Sequence, residues 1–488
     1  MGSLWLSTNR WLTWFHRWAG IVLGLIFVAW FVTGGVLLYV PFPALAERDR
    51  LEHSEPIEAQ RLTETPAAVL ARAPTIEQLQ LVSVVGRPVY LAFPANGKPM
   101  AIAGDSGSPL DLFSADTART VAARFGGTGV RSVIGPFDYD QWIVHQHFDP
   151  FRPFYRVRLD DAAQTDLYVS ARTGQVLQRT QGRERAWNWC GAVLHWIYFT
   201  PLRKSYPAWN QVVWWLSLAA LLSSLVGTWL GFDRLVRVRA RNRTKWSPYR
   251  GWMRWHHVVG LFAGVIVLVW IFSGWLSMDH GRLFSRGQPT TQLTEHLQGL
   301  PLEDIARRVP ADFMRRVGLA SEIDFGAVAG HPFMAARGAQ AAEARIFRLE
   351  DASDAAPTPT LPTSLLISGL QSAWPQESLI RRAPTPDTDF YAVAESLGPS
   401  AVPFEIGGSS QLRVYVDDVT GKLLVVMNAS RRAYAWVYYA LHTFNFPALL
   451  DRPTLRAILV LVLLGVGLAF TGTGIVIGIQ RLRSSLAR

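Results

Sequence analysis

Four stretches of this chain are each long enough and apolar enough to cross a bilayer as a helix, which takes about 20 residues. They run from Trp11 to Val40, Trp209 to Gly231, Trp255 to Met278 and Leu455 to Gln480. Hydrocarbon offers no partner to a free backbone N–H or C=O, so such stretches fold as helices. The expected fold is a membrane protein built on a bundle of four transmembrane helices. Composition agrees, because 17% charged residues falls well below the roughly 25% of a soluble protein. The 20 Trp and 25 Phe exceed what a soluble core needs and suit membrane interfaces. Disorder is excluded, and a purely soluble enzyme is not expected.

Charge then gives the direction. The segment from Phe232 to Arg254 carries Arg234, Arg237, Arg239, Arg241, Arg243, Lys245, Arg250 and Arg254 against Asp233 alone, and contributes much of the net charge of +11. Lying between two apolar spans, it reads as a cytoplasmic loop under the positive-inside rule rather than as a nucleic-acid surface. Arg10, Arg17, Arg481, Arg483 and Arg488 fall on the same side, so both termini are expected in the cytoplasm. The long segments 41–208 and 279–454 then lie outside it, which in a bacterium is the periplasm across the inner membrane. Ala44-Leu45-Ala46 resembles a signal-peptide cleavage site, but the apolar run before it far exceeds the roughly 7–15 residues of a signal core, so a retained helix is expected.

The chain also repeats itself. Arg185-Ala186-Trp187, Leu194-His195, Phe199 and Leu202 align with Arg432-Ala433-Tyr434, Leu441-His442, Phe446 and Leu449 at an offset of 247. The same shift carries Tyr168-Val169 onto Tyr415-Val416, Thr173-Gly174 onto Thr420-Gly421, and Gly227, Gly231 and Arg234 onto Gly474, Gly478 and Arg481. At an offset of 240, Phe15-His16 with Gly20, Gly24 and Gly34 aligns with Trp255-His256, Gly260, Gly264 and Gly274. Each half reads as helix in, outer domain, histidine segment, helix out, which predicts two parallel repeats about an axis along the membrane normal.

Segment 1–40 is then the first span, 41–186 the first outer domain, and 187–231 a histidine segment with the second span. Segment 232–254 is the basic loop, 255–278 the third span, 279–433 the second outer domain, and 434–488 the second histidine segment with the fourth span and tail. Tyr155 to Leu159, Leu167 to Val169 and Val176-Leu177 alternate as strands, and Leu412 to Val416 with Leu423-Leu424 repeat them, while Thr117 to Phe125 and Leu302 to Val309 read as helices. Both outer domains are expected to be small α+β modules.

Of eleven histidines, the repeat selects His16, His256, His195 and His442. Ionisable residues in a membrane bundle are costly and point to function. The axis sets His16 opposite His256 near the cytoplasmic face and His195 opposite His442 near the outer face. Neutral imidazoles opposed across a bundle can fill both axial positions of a haem iron. Gly20 and Gly260, four residues beyond His16 and His256, would leave room for a flat macrocycle. The two levels, separated by roughly 20 helical residues, would stand about 30 Å apart, so the pairs could carry electrons across the membrane. His257 competes with His256 but has Leu261 four residues on, which favours His256 as the inward ring. His145 and His147 alternate as on one face of a strand, where they could hold a metal or receive a substrate, although no third ligand is near. His280 is a reserve ligand for the outer haem.

Other chemistries lack their motifs. Cys190 alone cannot build a disulfide, a thiolate cluster or a CxxC pair. Gly472-Thr473-Gly474 lies inside a span rather than between a strand and a helix, so it is no dinucleotide fingerprint, and no GxSxG elbow supports a hydrolase. An external electron donor, a quinol or a flavoprotein, would be required.

His16-Arg17-Trp18-Ala19-Gly20 opening the first span, Tyr168-Val169 leading to Thr173-Gly174-Gln175-Val176, Leu194-His195-Trp196 and Leu441-His442 together resemble the bacterial inner-membrane proteins with PepSY-associated transmembrane helices. The resemblance covers nearly the whole chain and implies PepSY-like outer domains. Members include iron-regulated membrane proteins and di-haem reductases of periplasmic ferric siderophores. It therefore implies two b-type haems on His16, His256, His195 and His442, and a ferric siderophore or other ferric chelate as substrate. PepSY modules elsewhere bind or inhibit peptidases, so a membrane-anchored, redox-inactive module restraining a periplasmic peptidase is the second reading.

Overall fold

The computed structural model describes residues 2–72, 75–338, 344–351, 355–383 and 388–486. Four of its helices are long and apolar enough to span a membrane: Gly2–Leu37, Tyr206–Arg241, Gly251–Ser277 and Pro453–Leu486. The first packs on the second and fourth, and the third packs on the same two, so the four close into a ring with the first and third on one diagonal. Leu23, Phe27, Phe31, Leu221, Val267 and Trp270 fill the middle. The outer surface is apolar as well. Leu25 is 72% and Phe262 63% exposed, which is the face a bundle turns to lipid rather than to water.

The second helix runs beyond its apolar stretch to Arg241. Arg234, Arg237, Arg239 and Arg241 are thus helical, whereas the charge pattern places them in a loop. No helix breaker intervenes before Asn242, and Asp233 holds Arg237 one turn on at 2.9 Å. The connecting turn is correspondingly short, and the third helix begins at Gly251.

The segments between the spans build three sheets. Strands β5 (Val130–Phe137), β6 (Phe154–Leu159), β7 (Asp166–Ser170) and β8 (Val176–Thr180) form one antiparallel sheet in chain order. Strands β12 (Leu379–Arg381), β13 (Ala401–Ile406), β14 (Leu412–Asp417) and β15 (Leu423–Met427) form its counterpart. In β6, Tyr155, Val157 and Leu159 are buried under the helix Ala115–Gly126, while Arg156 and Arg158 turn to Asp140 and Asp166 at 2.7 Å each. Each sheet also buries a Tyr–Asp–Arg group: Tyr168 and Arg156 meet on Asp140, and Tyr415 and Arg413 meet on Asp389.

The third sheet is shared. β1 (Ile76–Val84), β2 (Arg87–Pro94), β3 (Met100–Ala103) and β4 (Pro109–Leu110) come from the first lobe, and β9 (Glu322–Val328), β10 (His331–Arg337) and β11 (Arg345–Arg348) from the second. They join in the order β11-β10-β9-β1-β2-β3-β4, with β1 antiparallel to β9 through Leu81 opposite Ile323. The two α+β modules expected from sequence are therefore welded through seven strands and one core that includes Leu79, Leu81, Tyr90, Ile323, Phe325 and Met334.

Two glycine turns dock the smaller sheets onto this weld. Gly174 and Gly421 take φ of +71° and +67°, a left-handed conformation that favours glycine. A Cβ on Gly174 would lie 2.8 Å from Val84 at the end of β1, and one on Gly421 2.6 Å from Val328 at the end of β9. Beside β9, Arg50 reaches Glu322 at 2.7 Å and Arg337 reaches Asp324 at 2.6 Å. Arg337 also pairs with Glu322 and, at 2.6 Å, with Glu47. Burial pushes the Asp324 carboxyl up, but Arg337 and Lys422 more than offset this and hold it below the usual carboxylate range. This cluster ties the chain just after the first long helix to the second lobe.

Candidate cofactor site

All four selected histidines face the interior of the helix bundle. His16 on the first long helix and His256 on the third stand across the diagonal, ring centres 6.4 Å apart and planes inclined at 35°. His195 and His442 form a second pair, centres 6.3 Å apart and inclined at 62°. His256 follows the connecting turn closely, so the first is termed the loop-side pair and the second the lobe-side pair. Two imidazoles whose nitrogens each lie about 2 Å from one shared ion have ring centres roughly 6 Å apart. Both pairs meet that spacing.

The lobe-side histidines owe their aim to irregular helix. His195 comes just after a π-helical turn at Trp189–Val193, and His442 ends another at Trp436–His442. A π turn adds a residue and rotates the side chains beyond it about the helix axis, a device frequent at functional sites. In the first, Gly191 leaves helical geometry (φ −113°, ψ −106°), and a Cβ there would meet Val36 at 2.9 Å.

A hydrogen bond orients each ring through Nδ1. His16 Nδ1 is 3.0 Å from the Ser223 carbonyl, and His442 Nδ1 is 3.2 Å from the Trp270 carbonyl. A carbonyl only accepts, so both nitrogens carry hydrogen. His256 Nδ1 lies 2.9 Å from the Thr473 hydroxyl, whose own hydrogen goes to the Phe470 carbonyl at 2.6 Å. His195 Nδ1 lies 2.9 Å from the Thr33 hydroxyl, whose hydrogen goes to the Ala29 carbonyl at 2.7 Å. Those oxygens are left to accept, so all four Nδ1 atoms donate. Each neutral ring then keeps its lone pair on Nε2, and none of the described hydrogen bonds uses it. A ligand histidine needs this tautomer and this kind of support behind it. The supports sit at matching positions. Thr33 and Ser273, 240 residues apart, lie behind His195 and His442.

A second set of glycines, beyond the two expected to border a macrocycle, makes room for the imidazole rings themselves. A Cβ on Gly227 would lie 2.4 Å from His16 Cε1, on Gly474 3.3 Å from His256, on Gly34 3.7 Å from His195, and on Gly274 2.9 Å from His442. These are duplicated glycines on the neighbouring helix. Gly20 and Gly260, expected to border the slot, both line the cavity; Gly20 faces open space, and Gly260 lies under the Phe470 ring, which stacks on His256 at 4.8 Å. The repeat marks these four together with Gly20, Gly24, Gly231 and their partners, and only the helix pairing shows which of them meets a ring.

The loop-side pair opens on a cavity of about 390 Å³ between the helices. Its wall is mostly apolar, with Arg17, Arg234 and Arg481 among the lining residues. The lobe-side pair is roofed by aromatic rings. Tyr438 stacks on His442 at 5.6 Å, and Trp30 donates from its indole to the His195 carbonyl at 3.1 Å.

The remaining histidines are engaged elsewhere. His257 also lines the loop-side cavity but commits its Nε2 to the Gly231 carbonyl at 2.9 Å. His280 stacks on Trp214 at 4.6 Å and bonds Asn210 at 2.8 Å, so it is no ligand to the lobe-side pair in this arrangement. His145 and His147 do not alternate on a strand. His145 caps, and His147 lies in, the 3-10 turn Gln146–Phe151, with ring centres 5.0 Å apart. Pro150 and Pro153 bias this segment against a regular strand. Burial, with the charges of His147 and Arg203, pushes His145 down to about 4. Among the described residues no group of three or more His, Cys, Asp or Glu gathers to hold a bare metal ion.

No curated protein matches the sequence. The family model described as the PepSY-associated TM region matches residues 13–344, about two thirds of the chain, and the loop-side histidines, His195, the second and third long helices and the first from residue 13 onward fall within it; the chain is a membrane protein that belongs to this family.

Proposed function

We propose that the chain is a di-haem electron-transfer protein of a bacterial inner membrane that reduces a ferric siderophore or another ferric chelate in the periplasm. The observation that carries this reading is the pair of opposed imidazole couples at 6.4 and 6.3 Å, every ring fixed by a donating Nδ1 with its Nε2 lone pair directed to no protein partner. His16 and His256 would hold one b-type haem and His195 and His442 the other. Bound haem supplies reversible one-electron chemistry, which suits a donor such as a quinol or flavoprotein and a one-electron iron(III) acceptor.

The protein's own part is placement and shielding. Along the first helix, position 34 beside His195 stands about 27 Å from position 16, close to the hydrocarbon thickness of a bilayer. Phe31 and Trp270, 6.0 Å apart, fill the bundle between the two levels and exclude water. In this reading the two halves are parallel repeats, since Thr33 and Ser273, Gly34 and Gly274, and Gly227 and Gly474 play equal roles 240 or 247 residues apart. The basic end at Arg234 to Arg254 faces the cytoplasm with both termini, and the lobes lie in the periplasm. Reduction to iron(II) weakens binding by the hard oxygen ligands typical of such chelates and releases the metal.

A pyridine haemochrome assay with reduced-minus-oxidised spectra of the purified full-length chain tests this. Two haems per chain, with a split alpha band on reduction, are expected. A colourless, folded protein would instead support a redox-inactive PepSY module acting on a peptidase.

A further inference from the structure

The loop-side cavity holds more positive charge than its histidines account for. Arg17, Arg234 and Arg481 line it, and no Asp or Glu does. Cationic side chains around a largely apolar cavity whose own wall carries no acid, with Arg234 alone answered from outside the wall by Asp233, make a site for an anion with an apolar body. Arg234 and Arg481 are repeat partners. Each lies seven residues beyond the glycine that abuts a loop-side ring, Gly227 beside His16 and Gly474 beside His256. Seven residues is close to two helical turns, so each arginine shares its glycine's face about 10 Å nearer the basic end. The cavity thus offers two imidazoles deep inside and two guanidiniums toward its mouth, in symmetric positions.

Resting on the reading that a haem sits between His16 and His256, we infer that Arg234 and Arg481 bind its two propionate carboxylates and thereby set its insertion direction, carboxylates toward the basic end. The two arginines are not equivalent. Arg234 already meets Asp233 at 2.7 Å, and Asp233 also takes Arg237 at 2.9 Å. Gln480 occupies the position matching Asp233 in the second half, and Arg481 has no ion-pair partner among the described residues. Arg481 therefore contributes more of the carboxylate affinity.

The test titrates full-length protein, prepared without haem in detergent and carrying His195→Ala and His442→Ala so that only the loop-side site remains. Haem and haem dimethyl ester, whose carboxylates are blocked, are followed by the Soret band. The expected result is that Arg481→Gln weakens haem binding roughly tenfold to a hundredfold, Arg234→Gln weakens it less, Arg481→Lys restores part of the loss, and ester binding stays within about threefold throughout. Equal losses for haem and ester, or no loss for either, overturn the arginine assignment, including the case in which these side chains serve anionic lipid instead. Failure of the parent protein to take up either compound overturns the haem reading itself, and the assignment with it.

Discussion

The loop-side and lobe-side histidine pairs are built from the same parts and set in different surroundings. Both oppose two imidazoles at nearly the same spacing, and both lock Nδ1 onto oxygen from a neighbouring helix. The loop-side rings sit on regular helix, at a smaller mutual tilt, beside an open cavity with arginines. The lobe-side rings are delivered by π-helical turns, tilted more steeply, and closed over by aromatic side chains. Ring spacing is thus held constant while tilt, access and polarity vary. Under the proposed di-haem reading, such an arrangement would suit two centres of one coordination chemistry with different exchange partners.

The sharpest way to break the comparison is to remove one pair at a time. His195→Ala or His442→Ala is expected to lose one haem of two by pyridine haemochrome and to abolish reduction of an external ferric chelate, while the loop-side spectrum persists. His16→Ala should lose the other. If either single substitution empties both sites or neither, the two pairs are not independent centres.

Next in size are the glycines. Gly227→Ala forces a methyl to within 2.4 Å of His16, whereas the same change at Gly34 meets His195 at 3.7 Å, an ordinary contact. Overpacking of the first kind costs about 1–3 kcal/mol. Loop-side haem content and thermal stability should fall in Gly227→Ala and stay near wild type in Gly34→Ala.

Acid separates the lobes from the bundle. His145 has a depressed folded value, so its stabilisation is complete above 6.5 and is lost as pH falls through about 4. Asp324 is also depressed, so its contribution is present above 3.8 and disappears below that. Lobe tryptophan fluorescence should therefore report loosening from about pH 6 downward, steepening below about pH 4, before helical circular dichroism changes. Simultaneous loss of both signals would contradict a division of stability between lobe and bundle. The smallest expected effect is electronic: with ring planes at 62° rather than 35°, the lobe-side centre should give the more anisotropic low-spin EPR signal.

Much of this is legible in the sequence because it is periodic or duplicated. Apolar length marks the four spans within a few residues at most ends, alternation marks β6, β7, β14 and β15, and the repeat singles out the four histidines and marks Gly34, Gly274, Gly227 and Gly474 among several paired glycines. The features that escape such reading depend on contacts between distant segments. The pairing of β1 with β9 has no local signal, since each strand reads alike whether its neighbour is in its own lobe or the other. The glycines that abut the rings lie on the adjoining helix, so inspection four residues along from His16 finds Gly20, which faces the cavity, but not Gly227. The hydroxyls of Thr33, Thr473 and Ser273 could be suspected as small polar residues inside apolar spans, whereas the Ser223 and Trp270 acceptors are backbone carbonyls with no side-chain signal, and only helix pairing shows which ring each serves. His145 and His147 mislead because two-residue spacing describes a tight turn as well as a strand.

The central claim is that opposed imidazoles at each level of the bundle share an iron. Quantitative haem analysis of the purified full-length protein, combined with a spectroelectrochemical titration, tests it most directly. Two haems per chain with bis-histidine low-spin spectra and two resolvable one-electron steps are predicted. A folded, monodisperse protein that binds no haem even when haem is supplied would contradict the account.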